Sequence, residues 1–129
     1  MTTRSLVDPE LAGLLDTFPA LHLTREVLPQ IRAAFEETMK TQPRVDPPAF
    51  AMISVRKRSI PGPQGAPDVP VLLYQPTHVG VPKPVLLWIH GGGYVLGSAD
   101  QEDHKVKSIV AAVGCAVISV DYRLAPETP

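Results

Sequence analysis

The first forty residues follow a helical hydrophobic period. One apolar stripe comprises Leu11, Leu14, Leu15 and Phe18, and a second comprises Val27, Ile31, Phe35 and Met39. Spacings of three and four residues predict two amphipathic helices, the second ending near Lys40. Asp8 is a suitable N-cap for the first helix, and Pro9 suits its first position. The second helix has two alternative starts, because Thr24 is a plausible cap and Pro29 favours a later beginning.

From Ala51 onwards the period changes to two. The segment "MISVRKRSI" alternates apolar and polar residues, and "VPVLLYQP" follows it after the turn-rich "PGPQGAPD". These segments predict an antiparallel pair of strands. The proline-rich stretch from Thr41 to Phe50 predicts a stiff connector before them. We therefore divide the chain into a helical cap segment, residues 1–45, and a core, residues 46–129.

The core continues with a third pattern. Val85 to Ile89 and Cys115 to Val120 are almost continuously apolar, as expected of strands covered on both faces of a parallel sheet. A helical stripe lies between them, with Ser98 and Gln101 resembling a capping box at its start and Gly114 suited to its end. Strand, glycine loop, helix and strand in this order predict a right-handed βαβ unit.

Composition narrows the classes of partner. The 129 residues carry twelve basic and thirteen acidic side chains, so the net charge of −1 predicts no nucleic-acid partner. The longest mostly apolar stretch, Ile109 to Val120, is too short to span a bilayer. The single cysteine, Cys115, lies in an apolar run, and the first residues lack a signal-peptide core. These features predict a cytoplasmic protein.

The stretch "IHGGGYVLGS", residues 89–98, is the candidate for chemistry. Consecutive glycines indicate that the backbone itself approaches a ligand. One interpretation is a dinucleotide site built on Gly91, Gly93 and Gly97, with Asp121 on a ribose hydroxyl, but the spacing departs from the usual fingerprint. The other is an oxyanion hole, in which backbone N–H groups stabilise the negative oxygen of an acyl-transfer intermediate.

Two linked motifs extend this second interpretation. "HGGGYVLGS" followed by "VISVDYRLAPE" resembles the hormone-sensitive-lipase-like branch of the α/β-hydrolases, and the likeness covers the whole chain. The resemblance implies an α/β fold: cap helices, then an antiparallel strand pair and a parallel βαβ unit, forming the N-terminal portion of an α/β-hydrolase with an incomplete central sheet. In that order the third strand lies between the fourth and fifth, so the absence of a fifth strand predicts that "PVLLWIH" is an edge.

The resemblance also implies roles for individual residues. Gly92 and Gly93 match the oxyanion donors, while Gly91 and His90 turn and hold the loop. Four residues support the second motif: Asp121, Tyr122, Arg123 and Glu127. We expect the fork of Arg123 to pair with Asp121 or Glu127, with a weak surface ion pair as the alternative.

The catalytic triad of this fold has no counterpart in the sequence. No G-x-S-x-G elbow occurs, and all four histidines precede the position where the elbow would come. The resemblance thus implies part of a serine carboxylesterase that acts on a small-molecule ester of short to medium acyl chain. Because the triad is missing from these residues, we expect the chain to be inactive alone and to need a second polypeptide segment that completes the fold. The alternative is a non-catalytic small-molecule-binding protein on the same scaffold.

No cofactor or metal is expected. Four potential ligands, Asp100, Glu102, Asp103 and His104, stand close together. They fall at a predicted helix N-terminus, where acids are favoured by the helix dipole, so their grouping does not predict a metal site.

Overall fold

A computed structural model describes residues 3–17, 22–41, 43–78 and 83–128. Its strands are β1 (Ile53–Ile60), β2 (Val69–Pro76), β3 (Val85–Ile89) and β4 (Ala116–Val120). Its α-helices are α1 (Pro9–Ala12), α2 (Leu28–Thr41) and α3 (Asp103–Val113). Short 3-10 turns cover Thr3–Leu6, Gly13–Asp16, Pro48–Met52 and Asp100–Glu102.

The four strands form one mixed sheet in the order β1-β2-β4-β3. The predicted antiparallel pair is confirmed, with Val55 opposite Tyr74. The predicted βαβ unit is confirmed as well, because β3 and β4 run parallel, with Leu87 opposite Ile118, and α3 connects them. Strand β2 is also antiparallel to β4, so the sheet is mixed and not closed. These elements form an incomplete α/β sheet, as expected.

The core lies between the sheet and α3. Val106 and Val110 of α3 are fully buried against Tyr74 and Val117 of the sheet. The helix ends at Gly114, whose φ of 70° is the left-handed conformation of a C-cap glycine. At the other end, the Ser98 hydroxyl accepts a hydrogen bond from the Gln101 N–H at 3.3 Å. That bond caps the 3-10 turn in front of α3, because the helix itself begins two residues after Gln101.

The buried Tyr74 makes one specific polar contact. Its hydroxyl donates a hydrogen bond to Oδ1 of Asp103 at 3.1 Å. Burial and the adjacent Asp103 carboxylate raise the pKa of Tyr74 well above its usual range, because both disfavour a phenolate. The phenol therefore stays protonated and keeps donating to α3, which ties the helix to the central strand β2.

The cap segment is less regular than predicted. Asp8 does cap the first helix by accepting from the Glu10 N–H at 2.9 Å. However, α1 comprises four residues, and a 3-10 turn replaces the rest of the predicted helix. Its leucines stay about half exposed, and Phe18 lies outside the described residues. The second helix begins at Leu28, which favours the Pro29 start over the Thr24 start.

Strand β3 forms an edge of the sheet, as the family order predicted. Val85, Leu87 and Ile89 are 61–62% exposed, and Leu86 on the opposite face is also exposed. The prediction that both faces would be covered is therefore wrong for β3 within this chain. Strand β4 fits the prediction of covered faces better than β3 does, because its residues Ala116, Val117 and Ser119 are buried. The difference arises because α3 and β2 cover β4, whereas the described residues place no strand beyond β3.

Within the described residues, no helix combines the length and the apolar character needed to cross a membrane.

Candidate active site

The loop after β3 takes a backbone path that favours glycine. Gly92, Gly93 and Gly97 have φ angles of 122°, 59° and 91°, and Tyr94 between them has a φ of 64°. The N–H groups of Val95 and Leu96 both donate to the Gly92 carbonyl, at 3.1 and 2.9 Å. Positive φ values at successive residues reverse the chain sharply between the sheet and α3.

The glycines are required for two different reasons. A Cβ atom on Gly92 would overlap the Leu96 carbonyl, and one on Gly97 would come within 2.7 Å of the Gly91 oxygen and the His90 Nδ1. At Gly93 a Cβ atom would meet open space, so only its left-handed backbone favours glycine there. Gly92 and Gly97 are thus required by close packing, and Gly93 by its backbone conformation.

The amide groups of Gly92 and Gly93 take no part in the internal hydrogen bonds of the turn. Within the described ranges, the N–H groups of Gly92 and Gly93 have no hydrogen-bond acceptor. Both residues are exposed. Adjacent N–H groups in such a turn form a concavity suited to a negatively charged oxygen. The loop can therefore offer two backbone donors to a bound group.

The buried side chain of His90 stabilises this turn. The residue is buried, and its Nδ1 lies 2.8 Å from the Gly91 carbonyl, so Nδ1 carries the proton in the neutral ring. The imidazole stacks on Tyr122 with a centroid distance of 4.1 Å, and the Tyr122 hydroxyl donates to the His90 carbonyl at 2.9 Å. Burial, and to a lesser degree Tyr94, raise the pKa of Tyr122, which keeps that hydroxyl a donor. His90 Nε2 is buried and has no partner among the described residues.

Residues of the second motif form hydrogen bonds with the glycine loop and with the segment that follows it. Oδ1 of Asp121 accepts a hydrogen bond from the Ala99 N–H at 2.9 Å. The Ala125 N–H donates to the Tyr94 carbonyl, also at 2.9 Å. Asp121 is therefore engaged through Oδ1 with the segment that leads into α3, a structural role that the dinucleotide interpretation does not require.

The expected pairing of Arg123 is wrong. Arg123 is exposed, and within the described residues its side chain makes one hydrogen bond, a long contact of 3.5 Å to the Pro67 carbonyl. Glu127 pairs instead with Arg32 of α2 at 2.8 Å, and Asp121 is engaged as described above. The pairing fails because the chain between residues 121 and 127 turns Glu127 towards α2.

No motif in the sequence identifies Arg32 as a residue of the site. Its hydrogen bond is the main cause of the lowered pKa of Glu127, so the carboxylate stays charged to lower pH than usual. The only available signal was a basic residue next to the apolar stripe of α2, which is common on helix surfaces.

The acidic residues before α3 have ordinary partners. Lys57 pairs with Asp100 at 3.3 Å, and Lys107 pairs with Asp103 at 2.7 Å. The His104 ring lies 5.1 Å from that of Phe50, edge to face. In the described part of the chain, no three His, Cys, Asp or Glu side chains are grouped to hold a metal ion.

A cavity of about 170 Å³ lies between the glycine loop and α2. Phe35 of α2 lines one side, and His90, Gly91, Gly92 and Leu96 line the other. The cap segment and the core thus both contribute walls to a cavity that Gly92 lines, and Gly93 is the next residue along the chain.

Comparison with known proteins identifies the fold as that of the α/β-hydrolases. A family model described as the alpha/beta hydrolase fold matches residues 86–129, which contain both motifs. The chain is 37% identical over 123 residues to the carboxylesterase NlhH of Mycobacterium tuberculosis, across 95% of this chain and 37% of that protein. It is 40% identical over 77 residues to the carboxylic ester hydrolase LipN of the same organism, across 60% of this chain and 20% of LipN.

Solved structures give the same result. A bacterial heroin esterase superposes with a TM-score of 0.72 at 37% identity, covering 98% of this chain and 39% of that one. An esterase of Pyrobaculum calidifontis superposes with a TM-score of 0.62 at 31% identity, covering 94% of this chain and 36% of that one. The chain spans well under half the length of each of these relatives.

Proposed function

Because the chain belongs to the α/β-hydrolases and is similar to their carboxylesterases, we propose that it is a member of the hormone-sensitive-lipase-like branch. We propose that it supplies the oxyanion hole and part of the cap to an enzyme that hydrolyses carboxylic esters. One observation carries the proposal. Gly92 and Gly93 are adjacent exposed residues whose N–H groups have no acceptor among the described residues, in a turn whose shape is fixed by packing around His90 and Leu96. Two such donors match what an acyl-transfer intermediate requires.

The proposed reaction proceeds through an acyl-enzyme. A serine hydroxyl attacks the ester carbonyl carbon while a histidine takes its proton, and the carbonyl oxygen becomes an oxyanion. The N–H groups of Gly92 and Gly93 stabilise that oxygen. The intermediate collapses, the histidine returns the proton to the leaving alcohol, and water then releases the carboxylic acid by the same steps in reverse. This chemistry needs no metal and no cofactor.

The nucleophile and its partners lie outside these 129 residues in this proposal. No serine of the sequence is flanked as an elbow requires, and His90 is buried in a hydrogen-bonding role. We propose that a second polypeptide segment brings the triad and pairs with the apolar edge strand β3. We also propose that the enzyme acts in the cytoplasm, a reducing compartment in which a free, buried cysteine such as Cys115 is common.

The cap segment gives a first prediction. Deleting residues 1–40 from the complete enzyme is expected to change substrate preference and lower solubility while the sheet survives, because α2 lines the cavity beside the loop. Relative kcat/KM values on aryl acetate, butyrate and octanoate measure the preference, and far-UV circular dichroism reports on the sheet. An unchanged preference together with unchanged solubility would show that the helices are not a cap.

A single assay separates an esterase from a binding protein. The complete protein is mixed with p-nitrophenyl acetate and butyrate, and then with an alkyl phosphonate that traps an activated serine. We expect steady hydrolysis and stoichiometric loss of activity on trapping. Saturable binding of the ester with no release of p-nitrophenol would instead favour the non-catalytic alternative.

A further inference from the structure

The guanidinium of Arg32 contacts two separate segments of the chain outside its own helix. Its Nε donates to the Val95 carbonyl at 2.9 Å, and its Nη2 donates to the Ala125 carbonyl at 2.8 Å. Its two terminal nitrogens also bind the Glu127 carboxylate, at 2.8 and 3.2 Å. Arg32 therefore links α2, the glycine loop and the second motif through one planar group.

The environment of Arg32 distinguishes it from a surface ion pair. Its side chain is 23% exposed, although that of its partner Glu127 is 60% exposed. Arg4 also binds a carboxylate with two nitrogens, but it is 53% exposed and pairs with Asp16, which is 65% exposed. Exposed ion pairs such as that of Arg4 with Asp16 contribute little to stability. A partly buried fork that also satisfies two carbonyl groups is held in one orientation.

Hydrogen bonds connect Arg32, the glycine turn and the second motif to one another in all three combinations. Val95 follows Tyr94, whose carbonyl accepts from the Ala125 N–H, and Arg32 bridges the carbonyls of Val95 and Ala125. The other attachment of α2 is limited, since Leu28 is its only buried residue and Phe35 is half exposed. Polar contacts from Arg32 are thus a major link between the helix and the loop.

We propose that Arg32 is a positioning residue, through which α2 holds the glycine turn in the shape that presents the Gly92 and Gly93 N–H groups. The catalytic part of this inference rests on the proposed ester hydrolysis. The structural part, the coupling of α2 to the glycine turn, does not depend on that reaction. Glu127 orients the guanidinium, and Arg32 itself touches no reacting atom.

Glu127 makes the coupling dependent on pH. Its lowered pKa means that the pairing contributes fully above the ordinary carboxyl value of 4.5 and is lost as the pH falls through the lowered one. Measurements at neutral pH therefore report on the protein with the Arg32–Glu127 ion pair formed.

The test compares four variants of the complete enzyme: Arg32→Gln, Arg32→Lys, Glu127→Gln and the control Arg4→Gln. Hydrogen exchange of the peptide covering residues 92–96 is measured first. We expect faster exchange in Arg32→Gln, an intermediate rate in Arg32→Lys and Glu127→Gln, and the wild-type rate in Arg4→Gln. If Arg32→Gln does not fold, the two milder variants decide. Wild-type exchange in every folded variant would overturn the coupling.

Kinetics then test the consequence for catalysis. With active sites counted by phosphonate titration, kcat on an aryl ester is expected to fall roughly tenfold in Arg32→Gln with little change in KM, because a displaced donor acts on the transition state. Arg32→Lys is expected to recover part of the loss. Unchanged kcat despite faster exchange would overturn the positioning role. A wild-type protein that hydrolyses no ester would contradict the proposed function, while the exchange data still decide the coupling.

Discussion

Replacing Gly93 by valine in the complete enzyme is expected to lower kcat roughly a hundredfold or more, the scale of a lost oxyanion donor. Gly93 has a φ of 59°, which β-branched residues avoid. Relief of that strain rotates the adjoining peptide groups, so the N–H no longer points at the substrate oxygen. The measurement is kcat on a small aryl ester, with thermal melting to confirm that the variant folds.

Two matched variants test the cause. Gly93→Asn is expected to keep far more activity, because asparagine tolerates the left-handed conformation and open space surrounds this position. Gly65 lies in the β1–β2 turn with a φ of 84° and is equally open, so Gly65→Val reproduces the strain away from the site. It is expected to lower stability and leave kcat unchanged. Near-normal turnover in Gly93→Val would contradict the oxyanion assignment.

The 129-residue chain alone is expected to show no esterase activity and to stay in solution only with a partner. Among the described residues no strand pairs with the outer side of β3, and Val85, Leu87 and Ile89 expose apolar side chains on one of its faces. Long apolar edges of this kind aggregate or pair with another strand. Adding a polypeptide that carries the G-x-S-x-G elbow and the rest of the triad is expected to restore hydrolysis.

An edge variant makes this second prediction sharper. Changing Leu87 and Ile89 to lysine places two charges on one face of β3, since alternate residues share a face. The charged chain is expected to stay monomeric but to resist complementation, because the charges would be buried in the completed sheet. Size-exclusion chromatography and the complementation assay report the two effects. A monodisperse, cooperatively melting wild-type chain would count against the fragment interpretation, and ester turnover by it would overturn the triad argument.

Features decided by near neighbours were predictable from the sequence. The Asp8 cap, the Gly114 helix end, the antiparallel pair and the βαβ unit depend on residues a few positions apart or on regular hydrophobic periods. The glycine loop belongs to the same class, since three adjacent glycines after an apolar strand already indicate a backbone site. The family motifs added the edge position of β3, which rests on the strand order of a known fold.

Tertiary structure decided the partners of the polar groups. Arg32 and Glu127 are 95 positions apart, and Asp121 and Ala99 are 22 apart, and no local pattern distinguishes these pairs from alternatives such as Arg123 with Glu127. Charges and hydrogen-bonding groups of one type are interchangeable in a sequence, because each can bind any complementary group within reach. Only the path of the chain decides which groups come within reach: here it turns Glu127 towards α2 and leaves Arg123 exposed.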